Sequence, residues 1–550
     1  MATLQLKVEG GRGRPIRLDD DPITIGRHPD NRIRIKDEMA SRHHCIIEPA
    51  APGQFRLRDL GSRNGTKLNG NRVAESLLQP GDVIQIGQLQ FQVEERRNEV
   101  TARVGADGNG EQEAPTTRQS RREQEQAPWI VELKSVIDAF AVSGVDDENI
   151  RIVDADGKTS DALAGANIGP RSGRLLLRAA SRTRATDIHL EPKGESVNVR
   201  MRVDGQMVWV TELPNDVGER FVGLIKNACQ MKAAARDAVQ DGHFSCRFPD
   251  RRVEYRVSVT PSVHGQKMVI RVLDQRGVPT SLSDLGLVGY MHERIRAVTT
   301  QDSGLLLVCG PTGSGKTTTL YNALREIDRD ARNVVTIEDP VEYQLDGVTQ
   351  MPIDERKGNT FNSLLRSVLR QDPDVILVGE VRDEETARTA MQAAMTGHLV
   401  FTTVHSKDSI SAVFRLLDLR VEPYLVANAL NLVLAQRLVR VLCEKCKQEI
   451  PVTPGQANKI GRFLAQRTHI FAPVGCPSCI KTGFRGRHAL FELLDFNDEL
   501  RDIVLRNPSI QAMRKVIDQG LFTTLQQFGY RLVAEGVTSM DEVDRVAGSG

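Results

Sequence analysis

The segment Gly310-Pro311-Thr312-Gly313-Ser314-Gly315-Lys316-Thr317 fits G-x-x-x-x-G-K-[ST], and it lies between an apolar run, GLLLVC, and a helical stretch, TTTLYNALREI. No other feature of the chain restricts its architecture as much. Such a loop needs a buried strand before it and a helix after it. Glycines let successive backbone N–H groups turn toward one anion, and the helix N-terminus adds a fixed positive field. Apolar runs of the same character recur as NVVTIED, DVILVGE and HLVFTTVH, alternating with helical stretches beyond Asp274. That alternation predicts an α/β domain with a doubly wound parallel sheet. Within it, residues Gly310 to Thr318 are expected to cradle the phosphates of ATP. Lys316 would meet the β and γ oxygens, and the Thr317 hydroxyl would hold Mg²⁺.

Ligands of such sheets bind at the C-terminal edge of the strands. DPDVILVGE delivers Glu380 to that edge, where a carboxylate can polarise an attacking water. TIEDPVEY brings Glu338, Asp339 and Glu342 to the end of another strand, and either acidic set could hold Mg²⁺ through water. His398 and His405 bracket a third strand in TGHLVFTTVHS. Strand order would bring His405 toward the γ-phosphate as a hydrogen-bond donor, whereas a packed or surface role is as fitting for His398.

At 550 residues the chain is too long for one core, and three to five domains are expected. Lys and Arg number 73 against 72 Asp and Glu, so global charge indicates neither a nucleic-acid coat nor a disordered tail protein. The longest apolar runs fall short of a membrane-spanning helix, and the N-terminus lacks the pattern of a secretory signal, so the chain is expected to stay in the cytoplasm. Residues 1–95 alternate apolar and polar positions in short segments between turn residues, as in an all-β sandwich. Residues 96–128 are rich in Glu, Gln, Arg and Gly and read as a flexible linker. Residues 129–275 open with a small helical segment. They continue as an α+β unit, with strands in VNVRMRVDGQMVWV and RVEYRVSV...QKMVIRVL and an amphipathic helix between. The phosphate-loop domain and a helical C-terminus occupy 276–550.

From about Ser160 to Val546 the chain resembles the secretion ATPase superfamily of type II secretion and type IV pilus assembly. ATDIHLEP, VRMRVDG and QDGHF are similar to its N-terminal ATPase-associated domain. TIEDPVEY resembles its aspartate box, LRQDPDVILVGEVRDEETA its Walker B region, TGHLVFTTVHS its histidine box, and AQRLVRVLCEKC the lead-in to its zinc region. The resemblance implies a RecA-like P-loop domain in a two-lobed subunit. Such subunits assemble into a cytoplasmic homo-hexamer, peripherally associated with the inner membrane, that moves a membrane platform. It makes Glu380 the catalytic glutamate, Glu338, Asp339 and Glu342 the aspartate box, and His405 a group near the γ-phosphate. Arg256 and Arg271, on RVEYRVSV and MVIRVL, match arginines that reach the nucleotide from the N-terminal lobe. PSVHGQKMVIR departs from the family by carrying Gln266 where a Glu is usual, and the usual N-terminal docking domain is reduced or absent.

Cys443-x-x-Cys446 and Cys476-x-x-Cys479 form two C-x-x-C pairs. In a reducing compartment they read as a tetrahedral, structural Zn²⁺ site within a subdomain at about 440–490, with room for a short helix near Gln456–Gln466. Lys481, Arg485 and Arg487 are too few basic neighbours for a nucleic-acid ribbon, so no direct nucleic acid partner is expected. The zinc element accompanies secretion and assembly members of the resembling family.

Gly26-Arg27, Ser41-Arg42-His43-His44, Ser62-Arg63-Asn64-Gly65-Thr66 and Asn69-Gly70 resemble a forkhead-associated (FHA) domain over residues 3 to 95. Such domains bind phosphothreonine peptides at one end of the sandwich. Arg27 and Arg42 can give charge-assisted hydrogen bonds to a phosphate, Ser41 a hydroxyl, and Asn64 a grip on the peptide backbone. Arg63 stands where the family often has Thr or Ser, and His44 is expected beneath the loop. The alternative to a motor is a phosphopeptide-binding scaffold that holds ATP without significant turnover.

Overall fold

The computed structural model describes residues 3–8, 16–18, 22–28, 31–35, 37, 39–51, 54–87, 89–96, 127–140, 149–165, 167–520 and 522–548. The stretch 97–126 of the expected linker lies outside them. The chain divides into two compact units, Met1–Ala114 and Pro115–Gly550.

In the first unit the alternating segments pair into two sheets. One has the order Ile16–Arg17, Thr3–Val8, Leu89–Arg96, Val83–Ile86, Thr66–Leu68, Asn71–Val73. The other runs Ile33–Arg34, Ile23–Gly26, Cys45–Ala51, Gln54–Asp59, Glu75–Leu78. Period-two patterning turns Phe55, Leu57, Ile84, Ile86, Phe91 and Val93 into one core with Leu6, Ile23, Ile25 and Ile47. Asn69 and Gly70, both at positive φ (52° and 83°), close the tight hairpin between Thr66–Leu68 and Asn71–Val73.

The second unit opens with an antiparallel sheet of eight strands in the order Thr159–Ser160, Arg151–Val153, Gln240–Arg247, Arg252–Ser262, Gly265–Leu273, Asp187–Lys193, Ser196–Val203, Gln206–Pro214. Helices Pro128–Ala139, Ile168–Thr183 and Asn215–Ala228 share its core. Along Ser196–Val203, Val197, Val199, Met201 and Val203 face that core. Arg200 and Arg202 point the other way and pair with Glu191 and Asp187. Gln240–Arg247 carries no clear period in the sequence, whereas along Ile168–Thr183 the residues Arg171, Arg174, Arg178 and Arg182 recur at helical spacing as the less buried stripe.

The second lobe is built on seven strands in the order Thr349–Pro352, Val334–Glu338, Val375–Val378, Leu399–Val404, Gly304–Cys309, Leu430–Leu442, Phe484–Asp495. All neighbours are parallel except the last pair, so the parallel sheet read from the sequence acquires an antiparallel edge. Every residue of Gly304–Cys309, Val375–Val378 and Leu399–Val404 is buried, as strands covered on both faces require. Between the last two long strands the chain forms the small hairpin Gln448–Pro451 with His469–Ala472, a helix over Pro454–Ile460 and a 3₁₀ turn over Gly461–Leu464. Helices Leu525–Ala534 and Met540–Ala547 close a small core with Ile460 and Ile470. No described helix is long and apolar enough to cross a membrane.

Candidate functional site

The strand Gly304–Cys309 ends at Gly310, and helix Lys316–Arg325 begins directly after Gly315, which holds φ 87°. This helix has no side-chain cap. The neighbouring helices Phe361–Val368, Glu384–Met395 and Ser409–Asp418 are capped by Thr360, Asp383 and Asp408. Its first N–H groups are therefore left for an anion. A Cβ at Gly310 would lie 2.5 Å from the Gln436 carbonyl, and one at Gly315 2.9 Å from its amide nitrogen, so only glycine fits at either place. The Ser314 hydroxyl is buried without a partner inside the loop, an orphan that a phosphate oxygen would satisfy. Lys316 Nζ folds over the loop, donating to the carbonyls of Gly310 (2.9 Å) and Pro311 (3.2 Å). Burial pulls its ammonium below the ordinary lysine range, and the facing Glu380 carboxylate pulls it partly back. Pro311, Thr312 and Gly313 are exposed, and Thr317 and Thr318 are half-buried at the helix start.

Glu380 follows the strand Val375–Val378 and is 16% exposed. Arg382 pairs with it and reaches Asp339 at 3.9 Å, while His405 Nε2 lies 3.4 Å from its second oxygen. The structure thus brings Lys316, Glu380, His405, Arg382 and Asp339 together at one sheet edge. It does not bring Glu338 there as an open ligand. That carboxylate, 3% exposed, accepts from Tyr321 Oη, Thr336 Oγ1 (2.6 Å) and Gln350 Nε2 (3.1 Å). Glu342 is exposed in the following loop. His398 sits at the opposite edge, with Nδ1 3.0 Å from the Ala393 carbonyl.

From the N-terminal lobe, Arg256 Nη2 donates to the Val341 carbonyl at 3.1 Å, between Asp339 and Glu342. Arg271 pairs with Asp187 at 3.3 Å and is 65% exposed. Both line a cavity of 590 Å³ with Asp241 and His243. Gln266 Nε2 donates to the carbonyls of Ala235 and Arg236 (3.3 and 3.0 Å), which an ionised Glu could not do.

Three neighbours of the site carried no signal of their own. Gln436 accepts from Thr319 Oγ1 at 2.8 Å, and Arg437 donates to the Ser406 and Lys407 carbonyls. Both lie in AQRLVR, which the sequence assigns to the zinc lead-in; the long strand Leu430–Leu442 serves the phosphate loop with its middle and the cysteines with its end. Arg382, two residues beyond Glu380, is legible only by that proximity.

The four thiols of Cys443, Cys446, Cys476 and Cys479 lie within 4.8 Å of one another. Their closest pairs are 3.8 to 3.9 Å apart. A tetrahedron with Zn–S about 2.3 Å has edges of about 3.8 Å, so donor set and spacing fit zinc and leave no open position. Gly475 and Gly483 donate N–H groups to Cys446 and Cys479, each at 3.3 Å.

In the sandwich, Ser41 Oγ accepts from the Arg63 N–H at 3.0 Å and keeps its own hydrogen to donate. Asn64 Nδ2 donates to the Met39 carbonyl (2.8 Å), which leaves its side-chain oxygen open. His44 is fully buried. Nδ1 accepts from the Ser41 N–H (3.0 Å), so Nε2 carries the hydrogen toward the Gly65 carbonyl (3.3 Å). Arg27 and Arg42 are exposed beside Ser41, and the Arg27 N–H donates to the Ser41 carbonyl at 2.9 Å.

A mostly parallel sheet with this loop, an acidic strand end and a facing histidine defines a P-loop ATPase, here with a second unit of FHA type. The family model described as Type II/IV secretion system protein matches residues 167–545, and that described as FHA domain matches residues 23–87. The chain belongs to the type II/IV secretion system protein family and carries an FHA domain ahead of the family region. It is similar to type II secretion system protein E of Pectobacterium carotovorum (41% identical over 371 residues, 68% of this chain and 74% of that protein). Type II secretion system ATPase E of Vibrio cholerae is 39% identical over 371 residues, with the same coverage. Among solved structures, the Legionella pneumophila ATPase DotB shares the fold, with a TM-score of 0.53, 22% identity, and coverage of 69% of this chain and 96% of that one.

Proposed function

We propose that the chain is a cytoplasmic, homo-hexameric motor, peripherally associated with the inner membrane. It hydrolyses ATP to drive an inner-membrane platform in type II secretion or type IV pilus assembly, and its FHA domain engages a phosphothreonine-bearing partner. The working parts are the FHA domain over 1–95, a tether over 96–128, the N-terminal lobe over 129–275 and the ATPase domain over 276–550, with a zinc subdomain at about 440–490. The observation that carries the motor reading is the bond from Arg256 to the Val341 carbonyl. It ties the N-terminal lobe to the acidic loop, and through Asp339 and Arg382 to Glu380, so lobe movement reaches the carboxylate that handles water.

In this reading Lys316 and the loop N–H groups hold the β- and γ-phosphates, Glu380 orients and deprotonates the attacking water, and His405 donates toward the γ-phosphate. The Thr317 hydroxyl would hold Mg²⁺, which would supply positive charge to offset that of the phosphates. Glu338 acts through Tyr321, Thr336 and Gln350, fixing the acidic loop. Arg256 and Arg271 supply positive charge from the lobe above. The four cysteines would hold a structural Zn²⁺.

Steady-state ATP hydrolysis tests this. Lys316→Ala and Glu380→Gln are each expected to lower turnover about 100-fold or more, and Arg256→Ala about tenfold or more. Unchanged turnover in both of the first two variants would reject the motor and leave a nucleotide-holding scaffold.

A further inference from the structure

The binding end of the sandwich carries more positive charge than one phosphate requires. Arg27, Arg42, Arg63 and Arg72 are all exposed, and among the described residues none of them is ion-paired. Their backbones meet in one loop cluster. Arg27 donates its N–H to the Ser41 carbonyl, Arg42 follows Ser41, and Arg63 donates its N–H to Ser41 Oγ. Arg72 lies against Gly65 so closely that a Cβ there would sit 2.1 Å from its Nε. His44 ties the two loops together from below through Ser41 and Gly65.

Among the described residues the nearby carboxylates are already engaged elsewhere. Asp59 accepts from Ser62 and Thr66, Asp82 from Asn69 and the Gln79 N–H, and Asp37 from the Met39 N–H. Glu48 and Glu75 pair with Arg56 and Arg58 on the strands. Four exposed arginines therefore share one loop cluster. A phosphothreonine brings a charge of only about −1.5 to −2. Holding that many like charges together is unfavourable unless the ligand matches them. Arg27 and Arg42 flank Ser41, whereas Arg63 and Arg72 stand to the side, about Asn64 and Gly65.

Building on the phosphothreonine reading above, we propose that this site selects a phosphothreonine accompanied by a second anionic side chain, with Arg63 and Arg72 as the residues that read the second charge. The partner is then an acidic or doubly phosphorylated peptide segment.

The test uses the full chain and labelled peptides of one sequence. One carries a phosphothreonine with neutral flanks. Others add Glu, or a second phosphothreonine, at each of the four positions on either side, and one has no phosphate. A matched series carries Lys in place of Glu. The best acidic peptide is expected to bind about tenfold or more tightly than the neutral one, the size of one charge-assisted contact. Arg63→Glu, or Arg72→Glu, is expected to erase that ratio and to favour the Lys-flanked peptide instead, a gain that unfolding cannot produce. Equal affinity of the intact protein for neutral and acidic phosphopeptides would overturn the proposal. So would charge reversals that leave the preference for acidic flanks in place, or an anionic vesicle or duplex DNA bound as tightly as the best peptide. Arg42→Ala separates the two layers: if it leaves every peptide bound as before, the phosphothreonine reading itself falls.

Discussion

Glu542 is a carboxylate with 1% exposure at the start of the last helix, a place where an uncompensated charge would cost several kcal/mol. Burial pushes its carboxyl up, but hydrogen bonds from Arg440 (Nε 3.0 Å, Nη2 2.6 Å) and Arg545 (2.7 Å) outweigh that and bring it down to about 2. Arg440 also stacks on Phe484 at 4.1 Å, just ahead of Cys443. Glu542→Gln leaves Arg440 buried beside a neutral amide and is expected to destabilise the chain by about 3 kcal/mol in denaturant titration. The sign of the pH dependence follows from the depressed value. The folded state holds the ionised form more tightly than the unfolded chain does, so this contribution is complete above about pH 4.5 and is lost as pH falls toward 2. The variant should therefore show a smaller loss of stability across that window than the parent; an identical acid profile would refute the assignment. In the sequence, Glu542 sits in MDEVDRV and reads as one more solvated helix charge paired with Arg545, because its buried partner Arg440 lies about a hundred residues upstream.

At the scale of elements, the cysteine turns form part of a clasp between the two lobes of the second unit. After the 3₁₀ turn Pro477–Cys479, Ile480 and Lys481 adopt left-handed conformations (φ 48° and 58°), strained for such side chains unless their surroundings hold them. Ile480 packs against the core of the N-terminal lobe, and Arg485 lies over the Phe140 ring at 5.0 Å. The Gly486 N–H donates to Asp204 at 2.7 Å, and Arg440 donates to Gln206. With so little core of its own, the turn would depend on the Zn²⁺ proposed for the four thiols to keep this shape. Stripping zinc with a chelator, or Cys476→Ser, is expected to speed hydrogen exchange in helix Pro128–Ala139. It should also red-shift the emission of Trp129, which is 5% exposed on that helix, when read in a Trp209→Phe background. Unaltered exchange and emission after one zinc is lost per chain would dismiss the clasp. The C-x-x-C spacing made the four-thiol cluster legible. The face against which it works was not, since Ile480 and Arg485 carry no pattern distinguishing a lobe contact from a loop.

For the whole molecule, what the sequence discloses follows the range of the interactions. The phosphate loop and the strand delivering Glu380 are local patterns whose chemistry is written in consecutive residues, and both stand where spacing placed them. Gln436 against the loop and Glu338 turned into a buried network depend on strands that meet only after the sheet is ordered, and no local period announces them. The same distinction separates the cores. The sandwich buries its own cluster from Leu6 to Val93, and the N-terminal lobe and the ATPase sheet bury theirs from residues of Pro115–Gly550 alone. Units with separate cores unfold in separate cooperative steps unless a large interface couples them. Calorimetry of the full chain is therefore expected to resolve at least two transitions. A phosphothreonine peptide at about 100 times its dissociation constant should stabilise only one of them, by about 2.7 kcal/mol, while a non-hydrolysable ATP analogue with Mg²⁺ should raise only the other. If either ligand moved both transitions together, the phosphopeptide and nucleotide sites would share one free energy. The FHA domain would then control the motor through folding coupling instead of by bringing a partner to it.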